Sequence, residues 1–187
     1  MVNVYSAEYM KSILLELDSK INILSSSVVF LNKKSQVITG ELTATKVYNA
    51  VWNDYAEKFE KHPKSYIEAG DIVSLDVESG SEVYRLSKEK DTCIAGVCSD
   101  EYGHLLGGTG DKEYDEKHFC NVGLAGRVKT KVIGKIKIGD RIVPSNIPGV
   151  GRKYISLLDD MFSIVGYATE SNDYEGIKKV RVKLASY

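Results

Sequence analysis

The chain has 187 residues, 25 Lys and Arg against 26 Asp and Glu, a formal charge of −1 and 43% hydrophobic residues. That apolar content supports a folded core and excludes disorder over the full length, and the length suits one domain, or one domain with an appendage. The near-neutral balance, with basic runs no longer than pairs such as Lys33-Lys34 and Lys178-Lys179, gives no electrostatic ground for binding nucleic acid or an anionic membrane.

No apolar stretch nears the roughly 20 residues that span a bilayer. The first residues, Met1-Val-Asn-Val-Tyr-Ser-Ala-Glu8, lack the basic start and apolar run of a signal peptide, so synthesis in a cytoplasm is expected. Three cysteines, Cys93, Cys98 and Cys120, cannot all pair within one chain, which fits a reducing compartment better than secretion. Twelve tyrosines outnumber four phenylalanines and one tryptophan, a bias that suits half-buried strands or an interface.

Residues 6 to 28 contain neither Gly nor Pro. Ala7, Met10, Leu14, Leu17, Ile21, Leu24 and Val28 fall at alternating spacings of 3 and 4, the heptad seam of a coiled-coil helix. Ser6 is the candidate cap, with Glu8 near the positive helix end. About three heptads are marginal without further support. Ile13, Leu15 and Ile23 widen the stripe, so packing on the chain's own domain is an alternative to self-association. The segment that follows favours self-association. Residues 28 to 48 read as short β segments, with Ile38, Gly40, Leu42 and Ala44 on one face and Thr39, Glu41, Thr43 and Thr45 on the other. Such thin strands lack a partner layer of their own and suggest a threefold stalk whose core comes from neighbouring chains.

Between residues 47 and 63 two structures are open. Val47, Ala50, Val51, Tyr55 and Phe59 have helix-like spacing that Pro63 would end, yet the same text continues equally well as a strand. Beyond it, β runs separated by turn signals are predicted at 71–76, 83–86, 93–98, 126–133, 141–143, 162–167 and 180–184. Residues 102–118, with Gly107-Gly-Thr-Gly110, read as an excursion loop. Ala69-Gly-Asp-Ile-Val73 is echoed by Ile138-Gly-Asp-Arg-Ile-Val143, a Gly-Asp turn feeding a strand each time. The expected fold is mainly β: a trimeric stalk over 1–53, made of a coiled-coil helix at 6–28 and short β segments, then a compact β-rich cap over 54–187.

The chemistry-bearing residues are sparse. Cys93 and Cys98 lie five apart in a strand-like run, so they point to opposite faces. His118 and Cys120 would share a strand face, but two ligands make no structural zinc site. No metal and no cofactor are expected. Gly107-Gly-Thr-Gly-Asp-Lys112 lacks the order of a P-loop, and no Gly-x-Ser-x-Gly elbow occurs. At the junction, Asn53-Asp54-Tyr-Ala-Glu57-Lys-Phe-Glu60 spaces acids at i, i+3 and i+6. On a helix, Asp54 and Glu57 share a face, and paired carboxylates can divide acid and base roles. Asn-Asp is also a labile bond, because the Asn amide can attack its own carbonyl. On residue chemistry alone, a solvated acidic face explains these residues better.

The run Val47-Tyr-Asn-Ala-Val-Trp-Asn-Asp-Tyr-Ala-Glu-Lys-Phe-Glu60 resembles the opening motif of the self-cleaving intramolecular chaperone domain at the C-terminus of phage neck appendages, tailspikes and tail fibres (peptidase family G-two, the IMC-type autoproteolytic domain). Glu68-Ala-Gly-Asp-Ile-Val73, Ile94-Ala-Gly-Val-Cys-Ser-Asp100, Tyr102-Gly-His-Leu-Leu-Gly107, Val122-Gly-Leu-Ala-Gly-Arg-Val128, Ile138-Gly-Asp-Arg-Ile-Val-Pro-Ser145 and Ile147-Pro-Gly-Val-Gly-Arg152 follow in the same order. The resemblance covers roughly residues 36 to 170. It implies a homotrimeric module that brings three fibre chains into register, made in the bacterial cytoplasm and carried on a virion or tail-like particle. Other virion or tail proteins, and a host cell surface, are the implied partners. It further implies cleavage at Asn53–Asp54, with Glu57 as the catalytic acid or base. The family's cleaved members have Ser before the cut. Asn53 has no hydroxyl, so cleavage here would run through Asn cyclisation or direct water attack. Three functions are therefore carried forward: a structural trimer with an assembly role, a self-cleaving chaperone, and a glycan-binding tip using the Tyr-rich cap.

Overall fold

The structure, a computed structural model, describes residues 7–27 and 54–185. The chain divides into two units, Met1–Val47 and Tyr48–Tyr187.

In the first unit, α1 spans Ala7–Ser27 with Glu8 in its first turn, close to the 6–28 expected from the heptad spacing. Of the seam residues whose side chains are described, Met10 is 47% exposed, Leu14 58% and Leu17 48%. Ile21 and Leu24 lie beyond the described side chains. The β segments expected at 28–48 fall outside the described residues.

The second unit contains β1 (Tyr55–Glu60), β2 (Ile72–Leu75), β3 (Tyr84–Leu86), β4 (Ile94–Cys98), β5 (His104–Leu106), α2 (Lys112–His118), β6 (Phe119–Ala125), β7 (Arg127–Val132), β8 (Arg141–Pro144), β9 (Gly151–Lys153), β10 (Gly166–Ala168) and β11 (Lys178–Leu184). They form a six-stranded sheet in the order β3-β2-β4-β6-β1-β5 and a closed barrel in the order β10-β11-β7-β9-β8. The protein is thus mainly β with few helices.

Alternation builds both cores. On β7 and β11, Val128, Thr130, Val132, Val180, Val182 and Leu184 turn inward and are buried, paired as Val182↔Val128 and Val180↔Thr130. The residues between them, Arg127, Lys129, Lys131, Lys179, Arg181 and Lys183, face outward. In the sheet, Ile72 and Val97 join the barrel core. Their neighbours Val73 and Cys98 point the other way, into a second cluster with Cys120 and Val122. That second face is only partly covered, and Phe59, Ile67, Tyr84, Ala95 and Leu124 pack on it half-buried.

Several expectations are corrected. Residues 55–60 form a strand, because β1 is hydrogen-bonded on both sides, antiparallel to β6 and parallel to β5. The helical face that Asp54 and Glu57 would have shared therefore does not exist. In extended chain, positions three apart point to opposite sides. The expected loop at 102–118 contains β5 and α2, the latter capped by Asp111, whose carboxylate accepts the Tyr114 N–H at 3.1 Å. Its glycine-rich stretch folds around Asp115, which accepts from Lys58 Nζ at 2.5 Å and from the Thr109 N–H and hydroxyl at 3.0 and 2.7 Å. The Lys58 and Thr109 hydrogen bonds hold the Asp115 carboxyl down at about 2. His118 closes α2 while Cys120 lies in β6, so the two do not share a strand face. The run at 162–167 splits into a 3₁₀ turn at Met161–Ser163 and β10, and β9 had no separate signal.

The Gly-Asp echo is a recurrent turn. Asp71 accepts the Glu68 N–H at 2.8 Å and returns its own N–H to the Glu68 carbonyl at 3.0 Å. Asp140 does the same with Lys137, at 2.8 and 3.0 Å. A third copy, Asp91 with Lys88, has distances of 2.8 and 3.1 Å. Each closing Asp also takes a cation: Lys131 at 2.8 Å, Lys153 at 2.7 Å and Arg85 at 2.7 Å. The residue before the Asp is left-handed in all three, Gly70 at φ 95°, Gly139 at φ 87° and Lys90 at φ 70°. An L-residue there costs roughly 1–2 kcal/mol, partly offset by the larger chain entropy that Gly loses on folding. Lys90→Gly should therefore raise stability by about 0.5–1 kcal/mol. Gly139→Lys, at a position with open space for a Cβ, should lower it by a similar amount. Urea midpoints of the two variants check both signs.

Candidate functional site

The site is built around Asp54, the residue that leads into β1. It is only 3% exposed. Its backbone carbonyl accepts the Gly103 N–H at 2.9 Å, just before β5. Its carboxylate reaches the other way, and Ser99 Oγ donates to Oδ1 at 3.1 Å. Ser99 follows β4, and β6 lies between β4 and β1. The carboxylate crosses β6 because the residue beneath it is Gly123, where a Cβ would stand 2.5 Å from Oδ2. Oδ2 itself is buried with no hydrogen-bond partner.

A cavity of about 110 Å³ adjoins this carboxylate, walled by Ser99, Asp100, Glu101, Arg127, Lys129 and Arg181. Lys129 is paired to Glu101 at 2.7 Å. Burial pushes the Asp54 carboxyl above the ordinary carboxylate range, and the neighbouring charges of Asp100 and Glu101 push the same way, against the Ser99 hydrogen bond. Asp54 is therefore a carboxyl group disposed to keep its proton.

Of the residues singled out in sequence, Asn53 lies outside the described residues. Glu57 is half-buried in β1, in register with Val122 and Leu106, on the strand face opposite to Asp54. The structure thus brings Asp54 together with Ser99, Gly123 and Arg127, and sets Glu57 on the other side. Ser99 and Arg127 stand in the runs 94–100 and 122–128 without an assigned role, and Arg181 carried no signal. They reach Asp54 only through the order of strands.

Among the described residues, no group of three or more His, Cys, Asp or Glu is placed to hold a metal. Cys93 is exposed, while Cys98 and Cys120 are buried, and burial raises their thiols to about 11 and about 12. Among the described residues, no helix is long and apolar enough to cross a membrane.

A six-stranded sheet joined to a small closed barrel defines the class of module, and solved structures share it. The pre-mature bacteriophage phi29 gene product 12 matches with a TM-score of 0.60 at 17% identity, over 79% of this chain and 24% of that one. The C-terminal fragment of the same gene product matches with a TM-score of 0.51 at 20% identity, over 71% of this chain and 100% of the fragment. At these identities the likeness is one of fold. The chain covers about a quarter of the length of the pre-mature gene product. No family model matches, and no curated protein matches.

Two measurements test the electrostatics of Asp54. With its folded value raised, Asp54 contributes stability that is complete below the ordinary value of 3.8 and is lost as pH rises through the raised one. Asp54→Asn cannot ionise, so the variant should gain on the wild type as pH rises from acid to neutral in urea unfolding. Ser99→Ala leaves Oδ1 without its donor and should cost about 1–3 kcal/mol at neutral pH.

Proposed function

We propose that the chain is an end module of a trimeric phage or prophage tail fibre or appendage, with a cap that brings three chains into register during assembly. The observation that carries this is the seam of α1. Met10, Leu14 and Leu17 repeat at heptad spacing and stand about half exposed. Each half-exposed Leu forgoes about half of the roughly 1.5–3 kcal/mol that full burial gives, and a helix of 21 residues is weakly stable without a packed face. Neighbouring copies of the helix supply that face. The fold shared with a phage gene product supports the same reading at the level of architecture. On it the protein is made in a bacterial cytoplasm and ends in a virion or a tail-like particle.

The burial of Asp54 favours a second activity, self-cleavage at Asn53–Asp54. A carboxyl whose burial favours its protonated form, on the residue that carries the leaving nitrogen, suits a bond in which that nitrogen must be protonated as it departs. The Asn53 side-chain nitrogen would attack its own backbone carbonyl carbon. The new C–N bond closes a succinimide, the Asn53–Asp54 peptide bond breaks, and the proton lost by the attacking nitrogen passes to the Asp54 amine through the carboxyl. Water then opens the succinimide. With direct water attack the same carboxyl serves the leaving group, and Glu57 would take a proton from the water.

Native mass spectrometry should find a trimer. Leu14→Ala with Leu17→Ala should shift it toward monomer at micromolar concentration, since buried Leu→Ala changes cost about 2–5 kcal/mol each. A monomeric wild type would overturn the assembly reading. Denaturing mass spectrometry should show cleavage after Asn53, which Asp54→Asn slows at least tenfold. Intact chain alone after long incubation rejects the cleavage and leaves the assembly reading untouched.

A further inference from the structure

The two oxygens of the buried Asp54 carboxyl are not equivalent. Oδ1 accepts from Ser99 Oγ at 3.1 Å, and Oδ2 has no hydrogen-bond partner. A protonated carboxyl carries a single O–H. An oxygen already accepting from a hydroxyl is the poorer place for it, so the proton belongs on Oδ2, where no other acceptor holds it. The carboxyl is also close enough to the N–H of its own residue to be acted on by it. That nitrogen is the atom a break at Asn53–Asp54 would release.

The hydroxyl that makes this distinction is held in place by the backbone around it. Ser99 is 4% exposed, and its N–H donates to the Asn121 carbonyl of β6 at 2.8 Å. One residue earlier, the Cys98 N–H donates to the Asp71 carbonyl at 2.8 Å, and the Cys98 carbonyl accepts the Gly70 N–H at 2.7 Å. Cys98 faces the second cluster, so Ser99 turns to the barrel side of the sheet, at the wall of the cavity beside Asp54. Residue 54 is fixed independently, its carbonyl accepting the N–H groups of Gly103 and His104 at 2.9 and 3.4 Å.

We infer that Ser99 is a positioning residue for self-cleavage: by donating to Oδ1 it leaves the acid proton on Oδ2 and fixes the orientation from which that proton passes to the nitrogen of residue 54. This rests on the cleavage reading above and names the group that prepares its acid. As the Asn53–Asp54 bond breaks, its electron pair stays on that nitrogen, which takes the proton from Oδ2. The carboxylate then recovers a proton from the attacking Asn53 nitrogen. The same hydroxyl sets the pH range of the step. Ser99 stabilises the ionised carboxyl and so draws its value down, against burial and the acids. The charged groups around the cavity are Asp100 and Glu101 after β4, Arg127 and Lys129 of β7 and Arg181 of β11. The ring of His104 is stacked on Tyr55.

The test is the pH profile of cleavage, read by denaturing mass spectrometry. In the wild type the rate should fall as pH rises through the raised value of Asp54. Ser99→Ala should slow cleavage roughly tenfold on the acid side of that fall, part of the about 10²–10⁴ that a positioned general acid contributes. It should also move the fall to higher pH, because the donor that held the carboxyl down is gone. Ser99→Cys keeps the size of the side chain with only a weak donor, and should behave as Ser99→Ala with the circular dichroism spectrum kept. Ser99→Thr restores the hydroxyl, with the cavity of about 110 Å³ as room for its methyl, and should recover both rate and profile. A wild type that cleaves while Ser99→Cys matches it in rate and profile overturns the role of Ser99 and leaves the cleavage reading standing. A slower variant whose profile is unmoved shows a merely structural serine and overturns it too. A wild type that stays intact overturns the cleavage reading as well.

Discussion

Strand β6 bonds β4 on one side and β1 on the other, and Gly126 alone separates it from β7 of the barrel. Both cores and the buried carboxylate depend on this one strand. Its inward Val122 anchors the second cluster. Its pairing with β1 makes residues 55–60 extended instead of helical, and Gly123 opens the path by which Asp54 reaches Ser99. A side chain at 123 would meet both the Asp54 carboxylate and Val128 of the barrel, at 2.5 and 2.8 Å. One position thus couples the sheet, the barrel and the candidate site. A larger residue there must displace the Asp54 carboxylate or the Val128 side chain.

What could be read from sequence follows from the range of the interactions involved. The helix of α1 is set by a local repeat, and β2, β3, β4, β7, β8 and β11 are set by alternation and adjacent turns, so all of these were legible within a few residues. The Gly-Asp echo was legible too, because the Asp side chain closes its own turn three residues back. Residues 55–60 were undecided because their own preferences are balanced. Two neighbouring strands, β5 and β6, tip the balance, and neither is close in sequence. The meeting of Asp54 with Ser99 spans 45 residues and depends on a glycine in an intervening strand. No spacing rule records such an arrangement.

Charge shows the same distinction between composition and placement. The chain is nearly neutral and its basic residues never form a long run. The period of two nevertheless gathers them on one face, as Lys179 lies across from Lys131, Arg181 from Lys129 and Lys183 from Arg127. Like charges directly opposed on a sheet are destabilising. Acids of the six-stranded sheet relieve part of that repulsion, with Glu68 and Asp71 on Lys131 at 3.0 and 2.8 Å and Glu101 on Lys129 at 2.7 Å. The pairs therefore bind barrel to sheet as well as balancing charge. Exposed ion pairs are individually weak, but Asp71 is buried, and its pair with Lys131 is the one least screened by solvent.

The Asp54 cavity lies where these two charge systems meet. Arg127, Lys129 and Arg181 of the barrel face Asp100 and Glu101 after β4, and Asp54 sits between them. Cations alone would draw the carboxyl toward its ionised form. Burial opposes that, Asp100 and Glu101 add to the opposition, and the net displacement is upward. Oδ1 has its donor in Ser99, whereas Oδ2 has none. A protonated carboxyl has one O–H to give and an ionised one has only oxygens that accept, so a proton on Oδ2 removes an unmatched buried charge. The strand order, the glycine at 123 and the acids after β4 therefore act in one direction. They bias the Asp54 carboxyl toward its protonated form beside the chain junction that precedes β1.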